Sequence, residues 1–335
     1  MYTHSEDSII LLIVKTLSRD NIFFMPYIDY LSLLFFRLPS PREIIGYHRL
    51  IINSVNGLLL LWDGPDNDHH ILFIVNPMTC EYVELPPQPR RKCLFGFRVS
   101  KLSGKYKISC VDESSSCYLY ALGGVLWRSI STTTRLPNKS SRPEYIQTRL
   151  LSVYILFFKG NLHWFATDYK ANFVICCFDL ETEVFTSFSP PPRQRGYFTD
   201  TYGSQQLCVL NDQLGSCDIT DHREHIIAWK MNNYQDSHSW VIEYTIARIR
   251  VDDRTLSYYI ILPLKVFAIG DLLFAIKDQL LIHSKATKVM VPYVPLQRSY
   301  YENLHSTFHY TPNFLTLKIM GISNVQSISY LLGRT

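Results

Sequence analysis

The tract Ile52-Asn53-Ser54-Val55-Asn56-Gly57-Leu58-Leu59-Leu60-Leu61-Trp62 leaves a folding chain few choices. Asn-Gly sets two residues that tolerate positive φ side by side, so an extended run reverses there and returns through the apolar stretch Leu58 to Trp62. Asn76-Pro77-Met78-Thr79 then supplies a second turn, and Pro86-Pro87 a break. The turn and the break bound two further strands, Ile71 to Val75 and Glu81 to Leu85.

The same kind of unit recurs loosely along the chain, without a strict period. A second copy runs from Gly160-Asn161-Leu162-His163-Trp164-Phe165 through Val174 to Phe178, the turn Asp179-Leu180-Glu181-Thr182 and the strand Val184 to Phe188. A third opens on Leu207 to Leu214 and continues through Ile226 to Met231 and Trp240 to Ile246. A fourth comprises Val266 to Gly270, Leu272 to Ile276, Leu280 to His283 and the turn Ser284-Lys285-Ala286-Thr287. Few windows place apolar residues three and four apart, so helix content is expected to be low. Short strands separated by polar turns predict an all-β chain of antiparallel sheets, stacked radially or closed on themselves. Pro190 to Gly196 and Ser131 to Pro143 are too polar and proline-rich for core strands and read as loops, neither of which need divide two domains.

Composition narrows the function classes. A chain of 335 residues with 47% hydrophobic and 14% aromatic content can bury a sizeable core. Its 33 basic and 29 acidic residues are too evenly balanced for an electrostatic nucleic-acid binder. The densest basic cluster, Arg90-Arg91-Lys92 with Arg98 and Lys101, reads as a solvated loop. Eight irregularly spaced cysteines suggest reduced, mostly buried thiols rather than a disulfide framework. Cys176 and Cys177 are neighbours that a strand would point to opposite faces, a poor arrangement for one metal. The residues before Ile9 lack the basic region of a signal peptide, and the apolar run Ile9 to Val14 ends at Lys15, far short of the roughly 20 residues of a membrane helix. The expectation is a cytoplasmic or nuclear protein that binds neither nucleic acid nor membrane.

No catalytic motif stands out, so the expectation is no enzyme, no cofactor, no metal and no catalytic residue. Gly-x-Ser-x-Gly, a phosphate-cradling glycine loop and Cys-x-x-Cys are all missing from the sequence. Asp221-His222-Arg223-Glu224-His225 gathers two imidazoles and two carboxylates, but its histidines are three apart where the zincin pattern needs four, and it reads as a surface loop. His69-His70, after Asp66-Asn67-Asp68, reads as a hairpin tip, with metal binding as the second choice. Trp127, Trp164, Trp229 and Trp240 fall on predicted strands and are either core anchors, the default, or ligand platforms. Recognition in such folds sits on loops, here Arg90 to Lys101, Ser131 to Pro143, Arg193 to Ser204 and Gln297 to Tyr301, which the sequence does not rank.

Several phrases in register resemble a known family. Ser54-Val55-Asn56-Gly57-Leu58-Leu59 is similar to the Ser-Cys-Asn-Gly-Leu-Leu opening of the plant F-box-associated domain, with Val55 in place of cysteine. Asn76-Pro77-Met78-Thr79 and Leu85-Pro86 resemble its turns, and Phe95-Gly96-Phe97 with Gly104-Lys105-Tyr106-Lys107 its Gly-Phe-Gly-Tyr and Asp-Tyr-Lys-Val segments. Tyr118 to Trp127-Arg128, Gly160 to Trp164, Ile227 to Met231 and Ser239-Trp240 complete the series. The likeness covers about residues 45 to 290 and implies a propeller-like or kelch-like stack in a single large domain, residues 46–335.

That family pairs the β domain with an N-terminal F-box that docks the adaptor Skp1, so the resemblance implies a non-catalytic module capturing target proteins for an SCF ubiquitin ligase. Residues 1–45 read instead as leading β-strands (Ile9 to Val14, Ile22 to Phe24, Leu31 to Phe36), with no recognisable F-box. The expectation is a missing or truncated F-box, and Skp1 as a partner only if a docking helix survives. An alternative reading takes Asp7 to Arg19 as a remnant of that helix. The competing functions are a propeller enzyme or lectin, for which Asp221 to His225 would line a pocket, and a scaffold without a ubiquitin role. The target protein and its binding face stay open at this level.

Overall fold

The structure is a computed structural model of the chain, and it describes residues 9–14, 21–24, 34–37, 48–64, 71–90, 93–112, 116–130, 155–167, 173–192, 205–219, 225–247, 261–276, 279–292, 304–310, 313–327 and 329–330. Every regular element among the described residues is a β-strand. Three lead the chain: β1 (Ile9–Val14), β2 (Asn21–Phe24) and β3 (Leu34–Arg37). Five antiparallel meanders of four strands follow. The first is β4 (His48–Val55), β5 (Leu58–Gly64), β6 (Ile71–Asn76) and β7 (Glu81–Glu84). The second is β8 (Cys93–Val99), β9 (Tyr106–Asp112), β10 (Cys117–Ala121) and β11 (Arg128–Ile130). The third is β12 (Leu156–Phe158), β13 (Asn161–Thr167), β14 (Phe173–Asp179) and β15 (Phe185–Phe188). The fourth is β16 (Gln206–Leu210), β17 (Gln213–Ile219), β18 (His225–Met231) and β19 (Trp240–Ala247). The fifth is β20 (Ile261–Val266), β21 (Leu272–Ile276), β22 (Gln279–His283) and β23 (Met290–Pro292). The strands β24 (Leu304–Tyr310), β25 (Gln326–Ser327) and β26 (Ser329–Tyr330) close the order.

The chain divides into two compact units. Unit one gathers residues 1–112, 117–129 and 297–335. In it β1 pairs antiparallel with β24, β26 pairs with β3, and β25 adds to β7 as a fifth strand of the first meander. Unit two gathers residues 113–116 and 130–296 and holds the third, fourth and fifth meanders. Within unit one β4 contacts β8 and β24, and within unit two β16 contacts β12 and β20. The leading strand of one meander therefore packs beside the leading strand of the next, which is the stacking rule of propeller blades.

Strand burial explains the apolar runs. Leu58, Leu59, Leu60 and Leu61 are all buried, as are Leu72 to Val75 and Leu272 to Ile276. A blade covered on both faces needs a continuous apolar strand, not the alternation of a half-solvated sheet. In unit one Ile52, Leu58, Ile74, Phe97 and Ile108 share a core that also takes in Leu317 from far along the chain. Unit two has cores centred on Ile226, Tyr244 and Phe274 and on Ile175, Ile227 and Trp229.

The Asn-Gly hairpin forms as its chemistry demands: Asn56 and Gly57 take φ of 46° and 76°, and Val55 pairs with Leu58. Three features differ from the sequence reading. Residues 93–99, within a stretch read as a loop, form β8 and open a meander that the loose repeat did not reveal. Leu207 to Leu214 is split by a tight turn at Asn211 and Asp212, both at positive φ. The fifth meander starts at Ile261, ahead of Val266, because the register shift between Pro263 and Lys265 lets a proline sit inside a strand. Ile9–Val14 is a strand, so a helical remnant does not form over those residues.

Candidate functional site

The turn Asn76-Pro77-Met78-Thr79 does structural work with both ends of its asparagine. Asn76 Oδ1 accepts the Met78 and Thr79 amides at 3.0 and 3.4 Å, while Nδ2 donates to the Leu315 carbonyl at 2.8 Å. Two residues beyond the turn, buried Glu81 accepts the Leu317 amide at 2.7 Å and the Thr79 hydroxyl at 3.2 Å. At the neighbouring hairpin Asn313 Nδ2 donates to the Asn56 carbonyl at 2.9 Å. A Cβ on Gly57 would lie 2.3 Å from Asn313 Cβ, so only glycine admits the tail so closely. The Tyr82 hydroxyl then bonds Gln326 Oε1 beside the β7–β25 pair. Residues 313–327 thus cross the turns of the first meander as a clasp, and nothing in the local sequence of Glu81 or Asn313 reveals the partner more than 230 residues away.

Two tryptophans pin the exits of outer strands. Trp127 Nε1 donates to the Pro86 carbonyl at 3.1 Å, and Trp240 Nε1 donates to the Ser189 carbonyl at 3.1 Å. Both carbonyls stand where a meander's last strand runs into prolines, whose neighbours cannot satisfy them through a ladder. Trp164, Trp229 and Trp240 are buried and Trp127 half-buried, just ahead of β11, so all four serve as core anchors.

Unit two contains the polar group that most looks like chemistry. Tyr234, in the turn after β18, lies with its hydroxyl 2.8 Å from His163 Nε2, accepts Asn161 Nδ2 at 2.8 Å and sits 3.6 Å from Cys177 Sγ. Gln235 Nε2 reaches Cys177 Sγ at 3.6 Å, and Lys159 Nζ lies 5.6 Å from the Tyr234 ring centroid. Burial pushes the His163 imidazole down to about 4, weakly opposed by the backbone of Leu156 and Asn161, although Nδ1 meets no partner in hydrogen-bonding geometry. Burial also raises the Cys177 thiol, and burial with the adjacent thiol raises the Tyr234 phenol. A neutral imidazole, a protonated thiol and a protonated phenol are a structural network, since nucleophilic work needs shifts of opposite sign at the thiol. Its effect is to tie the fourth meander's turn to β13 and β14 of the third. The turn residues Asn232 to Gln235 give no sequence signal of that reach.

An ion-pair group joins the fourth and fifth meanders. Glu243 meets Lys230 and Lys285 Nζ at 2.8 Å each, and despite the opposing effect of burial these ammonium groups hold its carboxyl below the ordinary range. Tyr244 Oη donates to the Gly270 carbonyl at 2.9 Å alongside.

Of the sites expected from sequence, His225 heads β18 opposite Ala247, half-buried, while Asp221 to Glu224 and His69-His70 lie outside the described residues. So do Arg91-Lys92, the loops 131–143 and 297–301, and the Arg193 to Ser204 stretch. Arg90 is paired, with Nε 3.4 Å from Asp112 and 3.3 Å from the Tyr118 hydroxyl. Among the described residues no group of three or more His, Cys, Asp or Glu could hold a metal ion, and no helix is long and apolar enough to cross a membrane.

Stacked four-stranded meanders with anchored turns define a β-propeller fold. The model of the F-box associated beta propeller domain matches residues 31–313, and the chain belongs to that family. An Arabidopsis thaliana protein named as an F-box/kelch-repeat protein is 24% identical over 221 residues, 62% of this chain and 53% of that protein. The chain therefore spans about half the length of that relative. Among solved structures, a mutant of AofleA from Arthrobotrys oligospora overlaps 92% of this chain and 90% of its own at 10% identity and TM-score 0.46. The Aleuria aurantia lectin with alpha-methyl-L-fucoside overlaps 86% and 95% at 9% identity and TM-score 0.40. Likeness at that level carries no argument about ligands.

Proposed function

We propose that this chain is a non-catalytic target-recognition module of an F-box-type protein, holding a target protein for ubiquitination by an SCF ligase. The observation that supports this most strongly is membership of the F-box associated propeller family over residues 31–313. The polar network of His163, Tyr234 and Cys177 agrees with it, because every shift there stabilises the uncharged form. All eight cysteines are free, as suits a protein of the reducing cytoplasm or nucleus. Skp1 docking calls for an F-box supplied by residues other than 9–14, which form a strand. The test is co-purification of Skp1 with the tagged chain and with a fusion carrying an intact F-box ahead of Met1. The fusion should retain Skp1 and lower the abundance of a bound protein in plant cells. A fusion that assembles with Skp1 yet changes the abundance of no protein would overturn the proposal.

A further inference from the structure

One end of unit one carries large apolar side chains that nothing among the described residues covers. Leu102 is 84% exposed in the β8–β9 turn, Val125 and Leu126 are 82% and 77% exposed in the β10–β11 turn, and Phe314 and Ile319 are 71% and 73% exposed on the clasp. In a meander the first and third turns share an end of the sheet, so Leu102 lies on the same side as Val125 and Leu126. The clasp joins them in a circuit. Asn313 holds Asn56 after β4, β4 contacts β8, the Leu122 amide donates to the Tyr106 carbonyl at 2.8 Å, and a Cβ on Gly123 would lie 3.9 Å from the Gly321 carbonyl. Five exposed apolar side chains on one ring of backbone are far from the scattered exposure that a soluble surface normally shows.

Among the described residues of these segments the charge has one sign. Lys105 and Lys318 are exposed on this ring. Segments 56–57, 77–80, 100–105, 121–127 and 313–324 contain no Asp or Glu. We infer that this end of unit one is a docking surface for a segment of a target protein that alternates acidic with large apolar side chains. The lysines steer and register the acidic groups, and Leu102, Val125, Leu126, Phe314 and Ile319 take the apolar ones. This rests on the recognition role proposed above and assigns it a face.

The experiment is fluorescence anisotropy of the full chain with a fluorescein-labelled peptide alternating Glu with Leu and Phe, beside a peptide with Lys in place of Glu. The acidic peptide should bind more tightly, with an affinity that falls as salt rises. Lys105→Glu with Lys318→Glu should weaken it by about tenfold, from two modest charge contacts reversed. Leu102→Ser with Val125→Ser should also weaken it, and both residues are exposed enough to leave the fold intact, which the thermal melting temperature checks. Equal binding of both peptides, no binding, or variants that match the native chain would overturn the assignment. So would a dimer in sedimentation that the serine variant dissolves, since a second copy would then own the face. The recognition role is judged separately. An F-box fusion that still depletes its target with the serine substitutions in place would keep that role and remove this surface from it.

Discussion

The clasp can be weighed by comparing two glycines. Gly57 and Gly160 have φ of 76° and 90°, so alanine at either is held in the left-handed region at a cost of about 1–2 kcal/mol. Nothing lies within 4 Å of a Cβ at Gly160, whereas a Cβ at Gly57 meets Asn313 Cβ at 2.3 Å and its backbone nitrogen at 2.5 Å. Restoring an ordinary contact of 3.4 Å moves the clasp by about 1 Å. That displacement stretches the Asn313–Asn56 and Asn76–Leu315 hydrogen bonds, now 2.9 and 2.8 Å, out of range. Two such bonds are worth about 2 kcal/mol together, so the clasp should open roughly 30-fold more often in Gly57→Ala than in Gly160→Ala. Amide hydrogen exchange at Leu315 and Leu317 reads this directly, because both amides are held by side chains in the clasp network. Gly160→Ala should leave those two rates untouched. Equal exchange in the two variants would refute the reasoning, since the shared backbone strain would then be the whole effect.

Glu81→Ala should leave the Leu317 amide without its acceptor, at a cost of about 2–3 kcal/mol, and speed tryptic cleavage after exposed Lys318. Tyr234→Phe removes the hydroxyl shared by Asn161 and His163 and should cost about 1–3 kcal/mol in denaturant unfolding. His163, held at about 4 when folded, titrates near 6.5 when unfolded, so its contribution is present above pH 6.5 and lost as pH falls towards 4. Stability should drop by roughly 3 kcal/mol across that window. His163→Gln should flatten the slope. Trp240→Phe leaves the Ser189 carbonyl unpaired and should cost about 1–2 kcal/mol in melting, whereas a ligand-platform role would leave the melt unchanged.

The strands whose signals are local were legible in the sequence. Asn56-Gly57 needs positive φ twice in a row, and the leucine run after it suits only a strand buried on both faces. Trp164 and Trp240 stood out by size, and their burial bears out the anchor reading. The second meander escaped the loose repeat because its leading strand, Cys93–Val99, follows Arg90-Arg91-Lys92 and contains a glycine, which together imitate a loop. Pro263 hid the start of β20 in the same way. The candidate surface was illegible for a different reason. Leu102 and Val125 are ordinary apolar residues until the clasp brings Phe314 and Ile319 to the end of unit one where they lie, and the bonds that hold the clasp there join Glu81 to Leu317 and Asn56 to Asn313.

The placement of β24, β25 and β26 bears on how the protein emerges from the ribosome. Unit two draws nearly all its strands from the unbroken stretch 130–296, so it can assemble while synthesis continues. β1, β3 and β7 must wait, because their partner strands lie beyond residue 303 and are translated after unit two. Until then those edges are unpaired backbone, the kind of surface that chaperones shield and that neighbouring chains exploit. Strands made after unit two seal a sheet made before it, so a premature stop just past residue 296 would leave the first sheet without its lock while sparing every strand of unit two.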